Sequence, residues 1–171
     1  LRQDEIEAAG SRCTGTFKPL ICREQGTYLT SMFGYSLNLD RRDDVRKPTR
    51  GYKASFSQDF AGLGGDVKYV RTEVEGAVYR GIIKDVTASF NMSAGLIEGW
   101  GGDSIRINDR FFKGGNSFRG FDAAGIGPRE LYTNNATGAV TRGDALGGKA
   151  YAIGAFELTF PLGLPEQYGI S

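Results

Sequence analysis

The chain has 171 residues, enough for one domain or a piece of one. Hydrophobic residues at 40% and charged residues at 24% exclude intrinsic disorder, and a net charge of +1 gives no general attraction to nucleic acid. Histidine is absent, which excludes Ser-His-Asp and Cys-His nucleophile systems and removes the commonest zinc ligand, so neither enzyme activity nor a metal or cofactor is expected.

Glycine is the outlier: 26 residues is roughly twice the usual share of about 7%. No stretch approaches the length of apolar sequence that a membrane helix requires. The opening Leu1-Arg2-Gln3-Asp4-Glu5 is neither a signal peptide nor a natural start, so the chain is expected to be an excerpt of a longer protein. Cys13 and Cys22 sit in one loop-like stretch within residues 6–25. A pair there would indicate an oxidising compartment, two free thiols a reducing one.

Five segments alternate with period two. From Leu29 to Leu39, Leu29, Ser31, Phe33, Tyr35, Leu37 and Leu39 share a face opposite Thr30, Met32, Gly34, Ser36 and Asn38. Residues 51–60 set Tyr52, Ala54, Phe56 and Phe60 against Lys53, Ser55, Ser57 and Asp59, with Gln58 interrupting the apolar side. The third segment sets Val70, Thr72, Val74 and Val78 against Arg71, Glu73, Glu75 and Tyr79. In residues 86–96, Phe90, Met92 and Leu96 oppose Ser89, Asn91 and Ser93; in the last segment, Phe156, Leu158 and Phe160 oppose Glu157 and Thr159. Such segments exceed the usual soluble strand, and one apolar face opposite a polar or small one fits a tilted membrane strand whose other side lines a lumen. The fold class expected is all-β, an antiparallel transmembrane β-barrel meander.

The connections alternate as the rims of a barrel do. Asp40 to Arg50 holds eight charged residues and Pro48, reading as a solvated rim, and Tyr79 to Asp85 is short. Residues 6–25 and 100–146 are long and glycine-rich, as outer loops are. Trp100 and tyrosines 28, 35, 52 and 79 fall where an interfacial belt would lie, although core packing explains them almost as well. Arg142-Gly143-Asp144 spells an adhesion tripeptide, a short match of little weight, and Asn135-Ala136-Thr137 spells a glycosylation sequon.

The connection 100–146 far exceeds the 12–15 residues beyond which an unstructured loop is usually functional. Its first part, Phe111-Phe112-Lys113-Gly114-Gly115-Asn116-Ser117-Phe118-Arg119-Gly120-Phe121, continues to Gly125-Ile126-Gly127-Pro128-Arg129. Glycines permit close backbone approach, aromatics bury area, and a lone arginine can fork onto a carboxylate inside a cavity. The string closely resembles the hallmark of the BamA-type outer-membrane protein assembly factors, the bacterial surface antigen superfamily. Gly34 to Asp43 with Pro48 to Gly51, Gly62 to Asp66, and Gly147 to Leu158 resemble the flanking strands and turns of the same family.

The resemblance implies that residues 1–171 are part of the outer-membrane barrel domain, about five strands of a presumed sixteen, with residues 100–146 as an inward-folded lumenal loop. The functional loop residues it implies are Gly114, Gly115, Phe118, Arg119, Gly120, Phe121, Gly125, Gly127 and Pro128, with Glu157 as the lumenal partner of Arg119. The implied setting is a bacterial outer membrane of a POTRA-bearing protein. The partners implied are outer-membrane lipids, unfolded β-barrel clients and accessory lipoproteins. An oxidising envelope leads to the expectation that Cys13 and Cys22 are joined. The function expected is part of an insertase that places β-barrel proteins in the outer membrane. The alternatives are a two-partner-type secretion pore, a passive porin, or a soluble sandwich adhesin carrying the tripeptide.

Overall fold

The computed structural model of the chain describes residues 2–7, 19–133 and 137–160. Cys13 and the Asn135-Ala136 part of the sequon lie outside the described residues, while Cys22 is disulfide-bonded.

Each of the five alternating segments becomes strand, the first of them in two pieces. The elements in chain order are β1 (Arg2–Ile6), α1 (Leu20–Arg23), β2 (Gly26–Thr30), β3 (Met32–Asp40), β4 (Arg50–Ala61), β5 (Tyr69–Ile83), β6 (Val86–Gly99), β7 (Arg129–Thr133), β8 (Val140–Ala145) and β9 (Ala150–Thr159). One sheet has the order β3-β4-β5-β6-β9; β1 pairs with β2, and β7 with β8, each antiparallel. β4, β5, β6 and β9 run 12, 15, 14 and 10 residues, lengths that cross a hydrocarbon core when tilted.

Three boundaries differ from the sequence reading. The first alternating segment divides at Ser31, because the turn after β4 docks there: Gly62 N–H donates to the Ser31 carbonyl at 3.0 Å, and the Asp66 carboxylate accepts the Leu29 N–H at 2.8 Å. Residues before the break pair with β1 and those after it enter the large sheet. β5 continues to Ile83, leaving only Lys84 and Asp85 in the turn, with Asp85 left-handed at φ 63°. The long connection carries the β7–β8 hairpin and two short 3₁₀ turns rather than being structureless.

Contacts group the chain into two compact units, one of residues 1–33, 59–71 and 96–151, the other of 34–58, 72–95 and 152–171. The second has a burial pattern opposite to that of a soluble sheet. In β6, Ser89 is 8% exposed while Phe90 is 48% exposed; in β5, Ala77 is 2% exposed while Val78 is 55% exposed. Met92, Val74, Phe156 and Leu158 are exposed as well. Tyr35 and Phe56 pack with ring centroids 6.1 Å apart on the apolar side. In water this apolar surface would be a large uncompensated cost, whereas in hydrocarbon it is matched by its solvent. Gln58, the one polar interruption, is satisfied on both sides: Tyr35 Oη donates to its Oε1 at 2.9 Å, and its Nε2 donates to Thr72 Oγ1 at 3.0 Å.

The first unit contains the core: Ala61, Val67, Tyr69, Ile97, Ile105 and Phe111, with Tyr28 and Tyr151 packed against it. Within it, Tyr69 has the strand parity of Arg71 and the opposite parity to Val70.

Candidate functional loop

The alternating residues Ile105, Ile107, Asp109 and Phe111 are all buried, and they seat the first leg of the long connection against the strands. Phe111 meets Tyr151 edge-on at 4.8 Å, and the Arg71 guanidinium lies 4.6 Å from the Phe111 ring. Phe111 and Gly148 exchange backbone hydrogen bonds of 2.9 and 2.8 Å, joining the outgoing and returning legs. Arg110 strengthens the same neck, its guanidinium donating to the Ile105 carbonyl at 3.0 and 3.1 Å and to the Leu146 carbonyl at 3.3 Å.

Beyond the neck, the glycine-rich motif folds on itself. Ile126 N–H donates to the Lys113 carbonyl at 3.1 Å, and Gly115 N–H to the Phe121 carbonyl at 2.9 Å. The Ser117 hydroxyl accepts from Gly114 N–H at 2.9 Å and donates to the Gly114 carbonyl. Gly114 has φ 128°, and a Cβ there would run into the Asp122 carbonyl, so only glycine closes this turn. Phe118 and Phe121 pack at 5.3 Å, Gly125 N–H donates to the Asp122 carbonyl at 2.8 Å, and the Pro128 carbonyl accepts Leu146 N–H at 2.9 Å.

The structure thus gathers Gly114, Gly115, Phe118, Phe121 and Gly125 into one turn, with Arg119 and Gly120 exposed at its tip. Gly120, Phe121, Asp122, Gly125, Arg129 and Arg142 line an open hollow of about 350 Å³, and Gly127 borders the space beside it. Glu157 is exposed on β9, in the other compact unit. Arg142-Gly143-Asp144 lies within β8, where Arg142 stands opposite Leu131, and not at a loop tip.

The sequence reading passed over a charged cluster under the loop. The Arg106 guanidinium stacks 3.9 Å from the Tyr28 ring centre, with Nε 3.8 Å from Asp109. Its two terminal nitrogens are buried without a hydrogen-bond partner among the described residues. Asp109 also receives the Arg2 guanidinium at 3.2 Å. Burial pushes the Asp109 carboxyl up, and Arg106 and Arg2 oppose that shift. The alternation of Ile105, Ile107, Asp109 and Phe111 is the signal that could have located this cluster.

The model of one family, described as the Omp85 superfamily domain, matches residues 1–171. The chain belongs to the Omp85 superfamily. It is 36% identical over 143 residues to the outer membrane protein assembly factor BamA of Neorickettsia risticii, covering 83% of this chain and 18% of that protein. It is 32% identical over 142 residues to the sorting and assembly machinery component 50 homolog of Homo sapiens, covering 82% of this chain and 28% of that protein. The chain therefore spans less than a third of the length of these relatives. In fold it is similar to the crystal structure of BamA from Haemophilus ducreyi lacking POTRA domains 1-3, with a TM-score of 0.70 and 22% identity over 80% of this chain and 26% of that one. The Omp85 chain is a segment of an outer-membrane β-barrel, open at both sheet edges as described, and its alternating strands are the wall.

Proposed function

We propose that this segment supplies wall strands and the lumenal loop of an outer-membrane insertase that assembles β-barrel proteins from unfolded clients. The observation that carries the reading is the seating of the motif-bearing loop: Phe111 is buried in one core with Tyr69 and Ile97 and tied to Gly148 by paired backbone hydrogen bonds, so the loop is anchored at its neck to the strands. The names of the relatives, an assembly factor and a sorting and assembly component, agree with it. No bond chemistry is required of such a protein. Insertion is favoured by a wall that perturbs the bilayer and by strand edges on which client strands pair, since unpaired N–H and C=O groups in lipid are costly. Accessory lipoproteins of an assembly complex are part of the same proposal.

Within that reading Arg119 is the loop's contact with the barrel interior, and Glu157 its carboxylate. Arg119 is presented at the tip of a turn fixed by Gly114, Ser117 and the Phe118–Phe121 pair, which suits a planar bidentate donor. Client insertion into liposomes by the full-length protein tests this. Arg119→Ala and Glu157→Ala should each impair insertion and expose the loop to protease, Arg119→Lys should restore only part, and the reciprocal exchange Arg119→Glu with Glu157→Arg should recover more than either single change. Full insertion by Arg119→Ala would overturn the assignment.

A further inference from the structure

The long loop emerges from the end of β6. There Phe33, Phe60, Ala61, Leu63, Val70 and Trp100 line a groove of about 330 Å³. One wall is the Phe33–Phe60 pair, stacked at 5.2 Å and 14°. The other is the Trp100 indole, pinned by donation from Nε1 to the Ala61 carbonyl at 3.0 Å. The indole lies directly over Gly62, whose φ of 128° and lack of a side chain leave the space; a Cβ there would collide with the ring. Lys68 stands beside the groove, with Nζ 5.8 Å from the indole centre and 4.0 Å from the Asp103 carboxylate. Both side chains of that ion pair are 39% exposed, so it is weak and leaves the ammonium available.

We infer that this groove holds one acyl chain of an anionic membrane phospholipid, with Lys68 receiving the headgroup phosphate. The lining offers hydrocarbon contact and almost no polar atoms. Phe60, Ala61 and Val70 lie on strands already paired on both sides, so they offer no free backbone to which a peptide strand could add. A lysine stem running along apolar surface with its charge at the interface matches the phosphate level of a lipid whose tail lies below it. The indole, amphipathic and hydrogen-bonded at its polar edge, marks the same boundary.

Trp100 is the single tryptophan of this chain and reports on the groove directly. The test uses the full-length protein with any other tryptophans replaced by phenylalanine, in nanodiscs of phosphatidylcholine with a minor fraction of one brominated lipid. Brominated phosphatidylglycerol should quench Trp100 about fivefold more per mole than brominated phosphatidylcholine, the ratio expected from one lysine at an anionic surface. Lys68→Gln should abolish that preference and Lys68→Arg should keep it. Equal quenching by the two lipids would make the groove ordinary annulus and overturn the inference. Absence of quenching by either, or a preference that survives Lys68→Gln, would overturn it too. None of these outcomes depends on client insertion, so they are independent of the proposed function.

Discussion

Phe111→Ala removes the side chain on which the seating of the loop depends. Phe111 is 5% exposed, whereas its neighbour Phe112 is 40% exposed, so the pair supplies an internal control. Truncating a buried phenylalanine costs about 3–5 kcal/mol through lost transfer energy and the cavity left behind. Loss of the edge-on contact with Tyr151 and of the Arg71 stacking falls within that range. If the cost falls on the seated loop, the population of the unseated state rises about a thousandfold for a loss of about 4 kcal/mol. The amides of Phe111 and Gly148 report this directly, since each is hydrogen-bonded to the other residue's carbonyl. In hydrogen exchange on the full-length protein, both should exchange two to three orders of magnitude faster in Phe111→Ala, and much less than tenfold faster in Phe112→Ala. Equal, small accelerations in the two variants would refute the view that Phe111 holds the loop.

Gly62→Ala should displace the Trp100 indole and add backbone strain at φ 128°, costing about 1–3 kcal/mol, visible as a red shift of Trp100 emission; unchanged emission would count against the packing described. Gln58→Ala strands the Tyr35 and Thr72 hydroxyls and should destabilise by about 1–3 kcal/mol, whereas Gln58→Leu combined with Tyr35→Phe and Thr72→Val should be nearly neutral in a detergent unfolding series. Asp43, in the turn between β3 and β4, accepts hydrogen bonds from the Thr49 hydroxyl, Arg50 N–H, Thr49 N–H and Asp44 N–H, which hold its carboxyl well below the ordinary 3.8. A depressed carboxylate stabilises the fold above its unfolded value and ceases to do so as pH falls through its folded value. Chemical shifts of the Thr49 and Arg50 amides should therefore be constant near neutrality and move only on strong acidification, and movement above that window would contradict the hydrogen-bond set.

Interior strands were legible because both their neighbours are strands and one side meets lipid: alternation in residues 51–60 and 86–96 then reports sidedness without interference. The break at Ser31 was not, since alternation runs straight through it and the cause is a distant turn, Gly62 to Asp66, docking on the backbone. The β7–β8 hairpin was hidden because Arg129-Glu130-Leu131-Tyr132-Thr133 and Val140 to Ala145 have no apolar face; backbone pairing and the Tyr132 ring over Gly143 shape it instead. Within the loop, the glycines marked close backbone approach, which the turn closed at Gly114 shows. The Arg106–Asp109 cluster went unmarked, because buried charges in a polar segment look like surface until a ring such as Tyr28 is known to cover them.

The neck formed by Arg110, Phe111 and Gly148 also separates two evolutionary regimes. Once these contacts fix the two legs, the segment beyond them is a ring whose closure cost grows only logarithmically with length, about 0.6 kcal/mol per doubling. Insertions or deletions at the far end of the β7–β8 hairpin are then nearly invisible to the wall below. A single added residue between Arg110 and Phe111, or between Leu146 and Gly148, would throw the two legs out of register. Length variation among related sequences should therefore collect beyond Thr133 and before Val140, leaving the neck at constant spacing.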